Sequence, residues 1–435
     1  MSARLALVAW VLASAAWAQD AGVEEVEVVD IDDVTTGYTP PEEQSHEALR
    51  FTGYVDVGFA KATGDGTSWV DSDTRVPLDY GADPFATAVN SRGEVASNDA
   101  DGRFTNGFLP RSVGIGGNAS FLINTASVDV RFQPRGLPIF VFARAQLMPR
   151  LLPTGDQTRL ELQQAFGRLS PFASQELAFF LGKFDSVFGI EYLENEANFR
   201  VGVTPSLIAR YTTGHGLGAK VFYRFQLPSV MSAISVNAAL TNNGTRIEAL
   251  VPPDASVMGV PVASARIGYE LNLKDVQAKA GFSGLYGPRN DQRTTGARQM
   301  AFGADVRLNW GGLSLAGELL QLVDEQGTLQ GKTTGQGPAE LASGFNVFGL
   351  WGRVAYTLPW KTSVLTGVTL YGRYDRRQAL FQGYTWVTTQ RFTVGGRVDL
   401  FELVALKAEG VFNAEMAGAP NVDNDVFTAS VVFTW

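Results

Sequence analysis

The sequence predicts an all-β chain: one closed antiparallel transmembrane β-barrel of about 16 strands, with short turns at one end and long loops at the other. Three observations predict it. Apolar residues recur with a period of two over stretches too long for an ordinary soluble strand. The connections between these stretches alternate between short and long. The final stretch runs to the last residue with the same alternation and stops on an aromatic side chain.

The period is explicit in three segments. From Gln299 to Trp310, Met300, Phe302, Ala304, Val306, Leu308 and Trp310 alternate with Gln299, Asp305, Arg307 and Asn309. In 390–400, Phe392, Val394, Val398 and Leu400 alternate with Arg391, Thr393, Arg397 and Asp399. Val404, Leu406, Ala408 and Phe412 are set against Lys407, Glu409 and Asn413. Alternation of this kind gives a strand one apolar and one polar face. Soluble strands average about 5–6 residues, whereas a tilted strand needs about 9–11 to cross hydrocarbon.

Composition excludes the competing classes. The chain has 435 residues, 18% charged and 45% hydrophobic, with a formal net charge of −9, 47 glycines and no cysteine. Its longest apolar run, Leu5 to Ala16, is shorter than the ~20 residues a membrane-spanning helix requires. Without cysteine there is no disulfide framework, thiolate zinc site, iron–sulfur cluster or cysteine nucleophile. The acidic balance argues against nucleic acid, whose binders are basic.

Along the chain, residues 1–18 read as a cleaved secretory signal peptide. Arg4 precedes a compact apolar core, and Ala16-Trp17-Ala18 supplies the cleavage pattern. Residues 19–50 are an acidic periplasmic leader with Arg50 as their one base, too polar to build a core. Residues 51–435 form the barrel. Strands are expected near 51–60, 116–133, 138–148, 159–169, 176–184, 215–226, 232–242 and 262–273. The others are expected near 276–286, 298–310, 313–324, 346–358, 364–375, 389–400, 404–414 and 425–435. Connections after even strands are short (134–137, 274–275, 311–312, 401–403), and those after odd strands are long (61–115, 185–214, 243–261, 325–345, 376–388). An even strand number returns both ends to one side. Closure follows from hydrogen bonding, because hydrocarbon offers no partner for an open sheet edge.

The last strand sets Phe427, Ala429, Val431, Phe433 and Trp435 against Thr428, Ser430 and Thr434. In this it resembles the Gram-negative outer-membrane β-barrel families, whose C-terminal strand ends in an aromatic residue read by the barrel-assembly machinery. The resemblance implies an outer-membrane location, contact with outer-membrane lipid and lipopolysaccharide, and an assembly signal at Phe433 and Trp435.

If the apolar sets face lipid, the polar sets line the lumen. The inward bases are then Arg131, Arg144, Lys220, Arg224, Arg266, Lys279, Arg307, Arg353, Arg373, Arg391, Arg397 and Lys407. The inward acids are Asp56, Asp129, Glu270, Asp305, Glu318, Asp399 and Glu409. Two readings stand side by side. A basic wall enriches anions; alternatively, several bases pair with acids nearby, as Arg397 and Asp399 would.

The connection from Gly182 to Asn198 leaves the fifth strand through Gly182-Lys183. It resembles the lumen-folded segment of porin-like barrels, including the phosphate-selective porin O/P-like and general porin families. That resemblance implies a constriction by 185–214, with Glu191, Glu194 and Glu196 facing the basic wall in a transverse field, and a homotrimer. It brings no phosphate-binding arginine ladder. The other reading of these glutamates is an exposed loop.

No cofactor, metal or catalytic residue is expected. The two histidines, His46 and His215, are far apart, and no nucleophile elbow accompanies His215. Asp65 and the 421–425 cluster lack EF-hand spacing, and Gly114, Gly116 and Gly117 have no βαβ context. Trp310, Tyr356, Trp360 and Tyr374 read as an interfacial aromatic girdle. The sequence thus points to passive diffusion of small hydrophilic solutes with anion preference. Its rivals are a plugged structural or adhesive barrel, a hydrophobic-substrate transporter with apolar lumen patches, and a barrel enzyme dependent on His215.

Overall fold

The computed structural model describes residues 49–62, 119–134, 136–152, 155–172, 176–227, 231–242, 260–289, 294–329, 344–381, 386–401, 403–416 and 425–435. The signal segment, the histidine at 46, Asp65, the glycines at 114–117 and most of 421–425 lie outside these residues. Of the expected leader only Leu49 and Arg50 are described, and they open the first strand.

The barrel strands are β1 (Leu49–Ala62), β2 (Ala119–Phe132), β3 (Ile139–Leu152), β4 (Gly155–Leu169), β5 (Leu177–Asp185), β6 (His215–Leu227), β7 (Ser232–Thr241) and β8 (Val262–Asn272). They continue as β9 (Val276–Pro288), β10 (Arg298–Trp310), β11 (Leu313–Asp324), β12 (Phe345–Leu358), β13 (Leu365–Phe381), β14 (Val387–Leu400), β15 (Val404–Glu415) and β16 (Val426–Thr434). Every strand pairs antiparallel with its sequence neighbours, and β1 pairs with β16 to close a barrel of sixteen. A separate two-residue ribbon joins Thr294–Thr295 to Thr328–Leu329. Among the described residues no helix is long and apolar enough to cross a membrane.

The seam is a backbone seam. Gly53 exchanges both of its backbone hydrogen bonds with Trp435 at 3.1 Å. Tyr54 faces Thr434 and Ala62 faces Val426 across the same ladder. With every edge paired, the sheet meets the requirement that hydrocarbon imposes.

Each strand presents large apolar side chains outward, among them Phe121, Leu181, Ile267, Phe302, Val394 and Phe427, all at least half exposed. A belt of this extent around a whole molecule is a lipid-facing surface, not a water-facing one. Trp310, Tyr356 and Trp360 sit exposed at the short-turn end, whereas Tyr374, expected in the same girdle, lies in the middle of β13 and is only partly exposed. The tightest turn there is Gly311-Gly312. Gly311 takes φ +53, the left-handed conformation that a two-residue hairpin requires.

Two connections depart from the expected parity of lengths. β3 and β4 run on as a long hairpin with only residues 153–154 between them, although this connection follows an odd strand. The long loop expected at 376–388 is mostly strand, because Arg376 pairs with Gln390 and Arg377 with Thr389, leaving 382–386 as the connection.

Candidate functional site

The site begins where β5 ends. Residues 186–214 leave the wall and fold back inside the barrel. The neck is narrow: Ser186 N–H donates to Gly214 O at 2.9 Å. His215 Nε2 lies 3.1 Å from Asp185 Oδ1 across it. Beyond the neck come a 3-10 turn at Glu191–Glu194 and a single helical turn at Ala209–Thr212. The segment has no room to form a longer element, so most of its amides and carbonyls need partners from the wall.

The wall supplies them from an arc of strands between β9 and β15. Glu318 of β11 accepts the N–H groups of Ile190 and Glu191, both at 3.2 Å. Glu409 of β15 accepts those of Val203 and Thr204, both at 2.8 Å. Ser283 Oγ of β9 accepts Gly189 N–H at 3.0 Å. In the other direction, Arg373 donates to Thr204 O at 2.6 Å and Pro205 O at 2.9 Å. Arg391 donates to Pro205 O at 3.1 Å, and Arg397 to Asn198 O at 2.9 Å and Arg200 O at 3.0 Å. Lys407 Nζ donates to Arg200 O at 2.6 Å. Arg200 itself ties the segment internally, donating to Glu194 O at 3.2 Å and Val203 O at 2.8 Å. Gly189 has φ +72, and a Cβ there would sit 2.0 Å from Glu318 Oε1, so both conformation and space require glycine.

Apolar packing supports the same docking. Phe188, Ile190, Leu193, Ile208 and Tyr211 pack against inward Leu320, Leu322, Val347 and Trp351.

The three predicted glutamates are all in this segment and all buried, but they do not act as a set. Glu194 contacts two bases: Arg307 Nη2 at 2.8 Å, and Arg353 through both terminal nitrogens, Nη2 at 2.9 Å. Burial alone would raise its pKa, yet Arg353 and Arg307 outweigh that and bring it down to about 2. Glu196 pairs with Arg144 Nη1 at 3.1 Å, accepts Gln146 at 3.1 Å and binds the Tyr54 hydroxyl. Glu191 turns back into its own segment, accepting Ser206 N–H at 2.7 Å together with the Ser206 hydroxyl. Burial raises its pKa above the ordinary carboxylate value, against the lowering effect of Ser206. The transverse field implied by the resemblance is corrected accordingly. Glu194 and Glu196 meet the bases in contact and not across a water gap, and among the described residues Glu191 has no base in ion-pair contact.

The bases expected on the inner face differ in burial. Arg144, Lys220, Arg353, Arg373, Arg391 and Lys407 are buried; Arg131, Arg224, Arg266, Lys279, Arg307 and Arg397 are partly buried. The pairing reading is visible for several of them. Arg224–Glu270 (2.6 Å), Arg266–Asp305 (2.6 Å), Arg373–Asp375 (2.9 Å) and Arg397–Asp399 (2.7 Å) are ion pairs within the wall. Arg144 adds Asp129 at 2.7 Å. Lys407 instead donates to loop carbonyls, and Arg391 divides its donors between Pro205 O of the loop and Asn413 Oδ1 of the wall.

Sequence reasoning missed an aromatic face. Phe140 and Phe142 of β3, Phe166 of β4, and Phe180 and Phe184 of β5 point inward and pack together, with Val187 at the root of the loop. Cations lie over these rings: Arg168 over Phe140 at 5.2 Å, Arg144 over Phe142 at 5.5 Å and Lys220 over Phe180 at 4.2 Å. The signal was present in Ile139-Phe140-Val141-Phe142, where apolar residues fill both faces at once.

No protein-family profile matches the chain, and no curated protein sequence matches it. The fold does match solved structures. The outer-membrane channel DcaP of Acinetobacter baumannii is 12% identical, with 89% of this chain and 97% of that one covered and a TM-score of 0.50. The anion-selective porin of Comamonas acidovorans is 10% identical, with 89% and 99% covered and a TM-score of 0.50. A sixteen-stranded lipid-facing barrel with an internally folded fifth connection defines the class. At these identities the likeness is one of fold, and this chain is porin-like in fold.

Proposed function

We propose that this protein is an outer-membrane porin: a passive diffusion channel for small hydrophilic solutes with a preference for anions. The observation that carries the proposal is the docked segment 186–214. It narrows the barrel from within, and the wall holds it mainly through cations on its carbonyls and carboxylates on its amides. Carbonyl oxygens satisfy donors of Lys407 and Arg391 without cancelling their charge, which supports a positive bias of the lumen that favours anions. Size selection comes from the segment and sign selection from the wall; no residue need react. Glu191, Glu194 and Glu196 are the constriction acids, and Glu194 and Glu196 reduce the bias of Arg307, Arg353 and Arg144.

The remaining parts of the reading follow from the surface. Phe433 and Trp435, both about half exposed on the outer face, are the assembly signal. Lys61 and Arg298 are outward cations near the long-loop end, suited to lipopolysaccharide phosphates. An outer groove of about 1120 Å³ has a floor of small residues, Gly167, Ala219, Ala238, Ala263, Ala265 and Gly284, between larger ones such as Leu181 and Leu240. Small residues let backbones approach closely in lipid, which supports the homotrimer.

Planar-bilayer recording in a salt gradient tests the function. Discrete conductance steps with an anion-selective reversal potential are expected. Cation selectivity would keep the channel and refute the basic bias. A folded barrel that conducts nothing would overturn the porin reading in favour of a plugged structural barrel.

A further inference from the structure

We infer that segment 186–214 is a moving closure and not a fixed narrowing: docked, it shuts the lumen, and the barrel opens when the segment leaves the wall as one unit. This deepens the channel reading, on which it rests only for what passes once the barrel is open. A sixteen-stranded barrel is wide enough for an aqueous channel, and side chains along a water column stay accessible to water. Here each of the sixteen strands carries at least one inward side chain no more than 9% exposed, from Ser127 on β2 through Lys220 on β6 and Ser283 on β9 to Ser430 on β16.

The segment accounts for that burial. Its hydrogen bonds and ion pairs reach Tyr54 on β1 and Arg144 on β3 through Glu196, and every strand from β9 to β15. On the arc from β4 to β7 the inner face is filled by Phe166, Phe180 and Phe184, which cluster with Val187 and Ala239. Lys220 Nζ lies over two of those rings, 4.2 Å from the Phe180 centroid and 5.2 Å from that of Phe184. Between segment and wall a cavity of about 10 Å³, lined by residues that include Glu191, Arg200, Trp351 and Arg353, has room for about one water molecule. Gly349 of β12 shows how closely the two surfaces meet, since a Cβ there would stand 2.2 Å from Ile208 Cγ2.

Three features make the docked state one that can be left. The wall is complete without the segment, because every strand has two paired neighbours. The segment is joined to β5 and β6 at one neck, closed by Ser186 N–H and Gly214 O, and swings from there without breaking a ladder. The interface also leaves polar atoms unsatisfied. Glu318 Oε1, Trp351 Nε1 and Arg353 Nε are buried with no hydrogen-bond partner among the described residues. Water satisfies these atoms once the segment departs, which offsets part of what undocking costs.

The chain has no cysteine, so one engineered disulfide can hold the segment down. Ile208 Cβ stands 3.6 Å from the position a Cβ takes at Gly349, within disulfide span, and Ile208→Cys removes the Cγ2 that would clash. The full-length barrel carrying Ile208→Cys and Gly349→Cys is recorded in planar bilayers, oxidised and then reduced. The heat-shifted band on gels verifies folding, and mass spectrometry the disulfide. The unaltered chain is expected to open in discrete steps from a closed baseline. Oxidation of the pair should cut the open time at least about tenfold, and reduction should restore it. A second readout needs no conductance: Ser283→Cys, beneath Gly189, is labelled with a charged thiol reagent. Adding Glu194→Gln should speed that labelling at least about tenfold. A disulfide-locked barrel that conducts like the reduced one overturns the inference, as does labelling that Glu194→Gln leaves unchanged. Labelling that responds to Glu194→Gln in a barrel that never conducts keeps the closure and sinks the channel reading instead.

Discussion

Glu194→Gln isolates the contact that holds the centre of the internal segment. The substitution is nearly isosteric, but it removes the single carboxylate shared by Arg307 at 2.8 Å and Arg353 at 2.9 Å. The side chains of Glu194 and Arg353 are each 8% exposed, so solvent screens little of the pair. Removing one member of a buried ion pair costs about 3–5 kcal/mol, because the charge left behind stays desolvated. Here two guanidiniums are left behind. The docked-to-undocked ratio of the segment should therefore fall by roughly two to four orders of magnitude. The barrel itself should not notice, since its stability lies in sixteen ladders of backbone bonds that do not involve the segment. Hydrogen exchange reads this directly. Amides bonded within the segment, Leu193 to Ile190 O at 3.1 Å and Arg200 to Glu196 O at 3.1 Å, should lose protection by that factor. Ladder amides of β12 and β13 should keep theirs, and Glu194→Asp should fall between the two proteins. Unchanged protection at Leu193 and Arg200 would refute the claim that the ion pairs hold the segment. Equal loss in segment and barrel would refute its independence from the wall.

Other outcomes follow from the same structure. Glu409→Gln weakens the charge-assisted acceptor for Val203 and Thr204, both at 2.8 Å, and should cost about 1.5–3 kcal/mol of docking, seen as faster exchange at those two amides. Gly53→Ala places a Cβ 2.3 Å from Ser127 O and 2.5 Å from the Trp435 ring, so the yield of heat-modifiable barrel should drop. Adding Trp435→Ala should relieve only the ring clash, leaving the carbonyl clash and a yield still below that of the unaltered chain. Acidification separates the glutamates. Glu191 has a raised pKa, so it takes up its proton at a higher pH than Glu194 does, and anion selectivity should rise as pH falls through that step. Its ionised form opposes docking, so docking strengthens across the same range. Glu194 behaves in the opposite sense. Its contribution is complete above the ordinary carboxylate value and is lost only as pH falls toward about 2. Reversal potentials measured against pH should lose the upper step in Glu191→Gln, and a step that persists would assign it elsewhere.

The period of two was enough to place all sixteen strands and to sort their faces, because in a barrel one face meets lipid and the other does not. That contrast is local and repeats every second residue, so it is written in segments such as 299–310 and 404–413 without reference to any distant part of the chain. The inward position of the basic residues follows from it, as does the terminal aromatic strand. Four things needed the tertiary structure. The β3–β4 hairpin carries an extra residue at Gln163, where Arg144 pairs with Gln164 and Ala145 with Leu162, so both glutamines turn inward. A bulge reverses the alternation, and no pattern in one strand announces which residue is the extra one. The inward phenylalanines were hidden because Ile139, Phe140, Val141 and Phe142 are apolar on both faces, and only the closed sheet decides which pair meets the lumen. The two shortened connections depended on pairing between strands. The partners of Glu191, Glu194 and Glu196 were beyond any local pattern, since they lie 15 to 159 residues away along the chain. Periodicity fixes the side of the wall on which a charge stands; the fold of a loop with no period of its own decides what that charge touches.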